Sequence, residues 1–255
     1  MALLELTPFH LAELPARKFD LLWGCGGYPD GGVLGGATFP LWQDNYLALM
    51  AQRDLPSWGL PAKPGVTERL FRMVASQLGQ SMGLTHHTIQ SYLDHLEAAF
   101  LVRRLPPFYA HLQKRLVKAP KIYWRDSGLL HALLGLTGKA DLWAQPWVGP
   151  SWEGWVVEQI LASRQASGQV FQAFYFRTQD GLEADLVLES GDFREVIEIK
   201  LTTSPAPEDF QRLEKVASLS KSLRQVLISR TDKPVMAKSK WSVDLTTYLK
   251  ESATS

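Results

Sequence analysis

The segment EADLVLESGDFREVIEIK, residues 183–200, constrains the fold of this chain more than any other stretch. Apolar and polar residues alternate in its two halves, which is typical of strands whose side chains point in turn to opposite faces. Between the halves, the Ser-Gly-Asp sequence at 190–192 favours a tight turn. The segment therefore predicts two neighbouring strands, at about 183–189 and 195–200.

Three charged side chains of this segment can converge on one face of the predicted pair. Glu198 and Lys200 are two residues apart and share a face, whereas the isoleucines at 197 and 199 point to the opposite one. Magnesium prefers oxygen ligands, which Asp185, Glu198 and the carbonyl of Ile199 can supply. Lys200 would orient or help deprotonate an attacking water and offset charge that builds on a phosphate. The alternative is that these are ordinary charged residues on the solvent face of a strand.

The elements around this segment follow the order of an α/β domain. A helix that carries Glu153 precedes it, and a strand at 171–177 lies between the two. After the segment, a helix begins near Pro205 with Ser204 as its N-cap, and a last strand covers 225–229. This order predicts an α/β sandwich with a mixed sheet.

The N-terminal part has a different, helical pattern. Residues 1–65 are interrupted by many Gly and Pro residues and are predicted to be a connector with one helix at about 39–52. From residue 67, apolar residues recur at helical spacing, and a second helix starts after Thr85, a suitable N-cap. Two short helices around a glycine-containing turn predict a helix-turn-helix.

A basic run at 101–125 follows these helices and contains no acidic residue. Its prolines and alternating apolar residues predict a β-hairpin, the wing that would follow a recognition helix. The formal charge of the whole chain is only +1, so any binding to nucleic acid must come from such local clustering. We expect weak, salt-sensitive contacts with phosphates, and the alternative is a solvated hairpin. The cations expected to make these contacts are Arg103, Arg104, Lys114, Arg115, Lys118 and Lys121.

Several features of the sequence lead us to expect that certain kinds of protein and of binding site are excluded. A single cysteine, Cys25, allows no intrachain disulfide and no multi-cysteine metal site. No apolar run approaches the roughly 20 residues of a membrane helix, and the first residues lack the pattern of a signal peptide, so we expect a cytoplasmic protein without a membrane partner. No segment has the form G-x-x-x-x-G-K-[ST], so we expect no ATP site in this chain.

Asp185 followed by Glu198-Ile199-Lys200 after an apolar strand resembles the PD-(D/E)XK nuclease superfamily. That resemblance implies a magnesium-dependent nuclease-like domain in which Asp185, Glu198 and Lys200 are catalytic and Asp185 and Glu198 bind the metal. In the superfamily a glutamate of the first helix often completes the site. Glu153 occupies the matching place, and Glu158, one turn further on, is the weaker candidate.

A wider resemblance covers nearly the whole chain. It rests on the runs GCGGYPDGG, FLVRRLPPFYAHLQKRLVKAPKIYWRDSGLLHALLG, GPSWEGWVVEQI and YFRTQDGLEADLVL. These are similar to the C-terminal portion of a large family of prokaryotic AAA-type ATPases, in which a P-loop ATPase precedes a winged helix and a nuclease-like domain. The opening LLELTPFHLAEL resembles the end of that ATPase module. The region between the two helices is shorter here than is usual in the family.

The two resemblances together give the expected organisation. Residues 1–65 would be a connector resembling the end of an AAA module, 66–140 a winged-helix-like domain, and 141–255 an α/β sandwich of the restriction-endonuclease-like type. The expected function is that of a DNA-binding, nuclease-like part of an ATPase family, with nucleic acid and a separate ATPase chain as partners. The alternatives are a catalytically silent DNA- or partner-binding module and a truncated relic.

Overall fold

The computed structural model describes residues 5–77, 87–108 and 119–253. The chain divides into two units that are each discontinuous in sequence. The first consists of Met1–Arg103 and Ile122–Ala162, and the second of Arg104–Lys121 and Ser163–Ser255. Residues of the predicted connector and of the predicted winged-helix domain therefore share one unit.

The first unit is mainly helical. Its α-helices are α1 (Phe19–Cys25), α2 (Leu41–Leu49), α3 (Leu55–Ser57), α4 (Pro64–Ser76), α5 (His87–Ala98), α6 (Ser127–Leu133) and most of α7 (Val148–Ala166). A π-helical segment, Met50–Asp54, joins α2 to α3. Helices were predicted at the positions of α2, α4, α5 and α7. Thr85, the expected N-cap of α5, lies outside the described residues.

Apolar residues at helical spacing build the core of this unit. Phe71 and Val74 of α4 belong to one buried cluster with Leu93 and Leu96 of α5, as the period of three to four residues predicts. Leu47 and Met50 lie in the same cluster, so the segment predicted to be a connector supplies part of the core.

The helices α1 and α6 approach each other closely at glycines. A Cβ on Gly128 would lie 2.0 Å from the carbonyl oxygen of Cys25, and Gly26 has a φ of +87°, which favours glycine. Asp126 accepts hydrogen bonds from the amide of Gly27 at 2.7 Å and from that of Leu129 at 2.9 Å, and so caps α6. The GCGG motif is therefore a packing motif.

Several tryptophans pack against one another within the first unit. The ring of Trp23 lies 5.3 Å from that of Trp143 and 5.1 Å from that of Trp152, and Trp152 lies 5.2 Å from Trp155. Aromatic rings at these separations add favourable contacts to the burial of their surface.

Two strands, β1 (Val102–Leu105) and β2 (Lys121–Trp124), form a two-stranded sheet at the predicted hairpin. Both strands belong to the basic run, and the boundaries between the two units fall within these strands. The residues 109–118, which contain Lys114, Arg115 and Lys118, lie outside the described residues.

The second unit contains a mixed six-stranded sheet. Its strands are β3 (Gln172–Arg177), β4 (Glu183–Ser190), β5 (Phe193–Ile199), β6 (Arg224–Ser229), β7 (Val235–Met236) and β8 (Lys240–Asp244), in the order β3-β4-β5-β6-β8-β7. The β5-β6 and β6-β8 pairs are parallel, and the other pairs are antiparallel. The helix α8 (Pro207–Ser220) connects β5 to β6, and α9 (Leu245–Ala253) follows β8.

The predicted α/β class is confirmed, with a helical N-terminal part followed by a mixed sheet with helices. Three differences concern local structure. The helix α8 has Ala206 as its N-cap and Pro207 in its first turn, in place of Ser204 and Pro205. The strands β7 and β8 and the helix α9 were not predicted.

Candidate functional site

The hairpin of β4 and β5 brings the predicted carboxylates together. Ser190 pairs with Phe193 across a two-residue turn, where Gly191 has a φ of +56°. The same antiparallel register pairs Leu186 with Ile197, and its next step places Asp185 opposite Glu198. Opposite residues of an antiparallel pair project to the same face.

Both carboxylates are largely buried. Asp185 is 6% exposed and Glu198 is 9% exposed. One oxygen of Asp185, Oδ2, accepts a hydrogen bond from the backbone amide of Ile199 at 2.9 Å. This bond orients the Asp185 carboxylate toward the end of β5 at which Glu198 and Lys200 lie.

Lys200 holds its ammonium on the second carboxylate. Its Nζ lies 2.6 Å from Oε1 of Glu198, and its side chain is 36% exposed. Burial alone would lower the pKa of Lys200, but attraction and a hydrogen bond to Glu198, together with the charges of Asp185 and Asp209, raise it. The ion pair with Glu198 therefore keeps Lys200 positively charged at neutral pH, which suits it to hold an anion.

A second lysine, Lys121, contacts the Asp185 carboxylate. Lys121, at the start of β2, is only 2% exposed, and its Nζ lies 3.4 Å from Oδ1 of Asp185 and 2.6 Å from Oε1 of Glu183. Glu183 also lies 3.6 Å from Arg177. Because Lys121 was predicted to face DNA phosphates, its burial at the carboxylates is a correction to the surface position that we expected.

The polypeptide around Lys121 is attached to the strand β3. The amide of Tyr175 donates to the carbonyl of Pro106 at 3.0 Å, and the amide of Phe108 donates to the carbonyl of Tyr175 at 2.7 Å. The hydroxyl of Tyr175 donates to the carbonyl of Ala119. Both arms of the basic hairpin are thus joined to the edge of the sheet, in contrast to a free wing.

The two glutamates predicted from the first helix belong to the first unit. The Tyr123 hydroxyl donates to Glu153 at 2.6 Å. Glu158 is buried and forms ion pairs with Arg103 and Arg125.

Two arginines of the basic run that were predicted to contact phosphates, Arg103 and Arg104, have different surroundings. The Arg103 side chain is 19% exposed and is committed to Glu158, so its charge is largely compensated within the first unit. Burial alone would lower the pKa of Arg103, but Glu158 and nearby acids raise it. Arg104 lies on β1 and is half-buried.

The donor set suits a hard divalent cation only in part. Within the described residues, no group of three or more His, Cys, Asp or Glu side chains is arranged to hold a metal. Two carboxylates remain, Asp185 and Glu198. Magnesium is commonly held by one or two carboxylates with waters and substrate phosphates, so the chemistry of this pair fits such an ion.

Two regions of the chain match models of protein families. Residues 16–140 match a domain of unknown function, DUF8612, and residues 148–248 match another, DUF4143. DUF4143 occurs in proteins associated with AAA-type ATPases. The first of these matched regions includes residues 104–121, which the structure assigns to the second unit.

The chain is also similar to uncharacterized proteins of Mycobacterium bovis and Mycobacterium tuberculosis. Each is 32% identical over 236 residues, a stretch that covers 89% of this chain and 50% of the relative. The chain thus spans about half the length of the curated relatives it matches. No solved structure matches it. In the part of the chain that the structure describes, none of the helices has the length and apolar character needed to cross a membrane.

Proposed function

We propose that the second unit is a magnesium-dependent nuclease-type module that hydrolyses phosphodiester bonds in DNA. The observation that carries this proposal is the position of Asp185 opposite Glu198, on one face of neighbouring strands, with the ammonium of Lys200 on Glu198. A chance match in sequence would not require the two carboxylates to occupy opposite positions in one register.

Each residue has a distinct role in the proposed reaction. Asp185 and Glu198 would hold the ion, and the amide of Ile199 keeps Asp185 oriented toward it. When bound, the ion would supply Lewis-acid polarisation of a phosphate oxygen and a more acidic water. Lys200, charged at neutral pH, would stabilise the negative charge that builds on the phosphate. The sequence also left open that Lys200 orients or helps to deprotonate the attacking water.

We further propose that this module works beside an AAA-type ATPase. This rests on the match to DUF4143 and on the similarity to relatives about twice as long. Weak duplex binding by Lys114, Arg115 and Lys118 of the basic run, which lie outside the described residues, would bring DNA to the module.

The test is metal binding followed by cleavage. Manganese or magnesium should raise the melting temperature of the wild type, because the ion binds the folded carboxylates and finds no such pair in the unfolded chain. At ten times Kd, mass action gives about 1.4 kcal/mol, or roughly 3 to 5 °C. Asp185→Asn should lose this gain. Its metal-free stability should fall, because Lys121 and the amide of Ile199 contact the carboxylate.

Glu189→Gln is the matched control, since Glu189 lies at the other end of β4 and pairs with Arg194. This variant should keep the metal-dependent gain. Lys200→Ala should still bind the ion but lose roughly a hundredfold in cleavage of duplex DNA. A melting temperature that is equally insensitive to metal in the wild type and in Asp185→Asn would overturn the nuclease proposal.

A catalytically silent scaffold is the second candidate, and one observation favours it. Both carboxylates already have an ammonium group beside them, Lys121 at Asp185 and Lys200 at Glu198. Such a network can hold the β4-β5 hairpin in register without any ion. Failure of the metal test would leave this candidate.

A further inference from the structure

We propose that the ammonium of Lys121 pairs with the Asp185 carboxylate and competes with the divalent ion for it. This inference rests on the proposed function, because it concerns the affinity of the same site for its metal. It assigns Lys121 a role that differs from DNA binding and from the catalytic role of Lys200.

The geometry places a positive charge where the ion would gain most. The Nζ of Lys121 lies 3.4 Å from Oδ1 of Asp185, and the other oxygen of that carboxylate accepts the amide of Ile199. Asp185 and Glu198 would hold the ion, and the ammonium that already contacts Asp185 would repel it. Repulsion between cations is strong inside a protein, so Lys121 would have to give up its contact with Asp185 for the ion to bind.

The lysine also has a second acidic partner, Glu183. Glu183 accepts the ammonium at 2.6 Å and is 31% exposed, whereas Asp185 is 9% exposed by side chain. The ring of Tyr175 lies 5.6 Å from Nζ, so part of the cation rests against an aromatic face. Lys121 can therefore give up Asp185 and keep its closer contact with Glu183, so the energetic cost of losing the Asp185 contact is moderate.

The backbone holds the lysine close to both acids. Tyr175 binds the carbonyl of Ala119, two residues before Lys121, and forms backbone bonds with Pro106 and Phe108. These bonds keep the backbone of Lys121 beside the sheet edge, so only its side chain can exchange partners. The expected result is a site that is held together without metal and binds metal weakly.

The experiment compares manganese binding by isothermal titration in the full chain, in Lys121→Met and in Lys121→Gln. Both variants remove the positive charge. Lys121→Gln keeps a hydrogen-bond donor for the two acids, so the test can still be made if Lys121→Met does not fold. We expect manganese to bind both variants at least roughly tenfold more tightly than the wild type. Adding Asp185→Asn to either variant should abolish this binding.

Lys240→Met is the matched control, because Lys240 pairs at 3.0 Å with the exposed Glu214 and its loss changes the net charge equally. Its affinity for manganese should equal that of the wild type. Equal or weaker binding by the Lys121 variants would overturn the competition. If no variant and no wild-type chain binds manganese, the proposed metal site itself is wrong, and this outcome differs from wild-type binding that Lys121 leaves unchanged.

Discussion

At the scale of single residues, two titratable side chains are buried inside the first unit with opposite effects on stability. His131 donates from Nδ1 to the carbonyl of Gly24 at 2.9 Å, and its Nε2 lies 2.6 Å from the hydroxyl of Ser151. Burial lowers the pKa of His131 to about 4. Burial raises the pKa of Asp126 to about 6, although backbone amides oppose this shift.

The signs follow from linkage between protonation and folding. The depressed pKa of His131 contributes stability that is present above pH 6.5 and is lost as the pH falls toward 4. The raised pKa of Asp126 contributes stability that is present below pH 3.8 and is lost as the pH rises through 6. Between pH 4 and 6.5 the two contributions therefore offset each other.

We predict that Asp126→Asn makes the protein more sensitive to acid. Between pH 7 and 4.5 the wild type regains about 2 kcal/mol from protonation of Asp126, which the variant cannot do. The change in unfolding free energy over this range, measured in urea, should be about 2 kcal/mol less favourable in the variant. Asp30→Asn, an exposed aspartate of the same unit, is the control. Parallel pH profiles for Asp126→Asn and wild type would contradict the prediction.

At the scale of elements, the sequence predicted what periodicity controls. The strands β3 to β6 and the helix α8 were expected because apolar residues alternate or recur along them. That Asp185 and Glu198 could converge on one face was expected from the alternation in the two strands and the turn between them. Lys121 was not found, since its place beside Asp185 depends on a contact 64 residues away in sequence. Its position before the apolar strand at 122–124 was the available signal of burial.

The missed elements differ in the strength of their local patterns. The strand β7 is two residues long and both are exposed, so it has no usable pattern. The strand β8 did carry a signal, because Trp241 and Val243 alternate with polar residues, although only Val243 is buried. The helix α9 did carry a signal. Asp244 accepts from the amide of Thr247 at 3.0 Å as an N-cap, and Leu245, Tyr248 and Leu249 have helical spacing.

The basic hairpin is the element to which the prediction about DNA belongs. Lys114, Arg115 and Lys118, changed together to Ala, should flatten the slope of log affinity against log salt concentration by up to about three. Fluorescence anisotropy with a labelled duplex measures this slope. Lys233, Lys238 and Lys240, also changed together to Ala, remove the same charge from another surface and should leave the slope unaltered. The reverse result would locate DNA binding outside the hairpin.

At the scale of the whole molecule, the second unit is built from two separate stretches of chain. Residues 104–121 supply the backbone partners of Tyr175 and the ammonium at Asp185, and 163–255 supply the sheet. The predicted boundary near residue 140 reflects the order of motifs along the chain. Composition cannot reveal that an earlier stretch bonds to the edge strand of a later sheet, because this depends on long-range contacts.

We predict that a fragment of residues 148–253 has a less stable sheet than the full chain. It lacks Lys121, and removing one partner of a buried ion pair costs about 3 to 5 kcal/mol. Hydrogen exchange of the amides of β4 and β5 should therefore be at least roughly a hundredfold faster in the fragment. Adding a peptide of residues 101–125 should restore part of the protection, and a peptide with Lys121→Gln should restore less. Equal protection in fragment and full chain would exclude this contribution.

The split origin of the second unit also bears on how such chains are inherited. A genetic exchange at residues 140–148 would separate the two matched regions cleanly, yet it would join Lys121 from one ancestor to Glu183 and Asp185 from another. In such a hybrid, Lys121 can pair with Glu183 and Asp185 only if both ancestors carried the same charges at these positions. Selection is therefore expected to act on the two regions as one heritable unit, and a change at residue 121 should be accompanied by a change at residue 183.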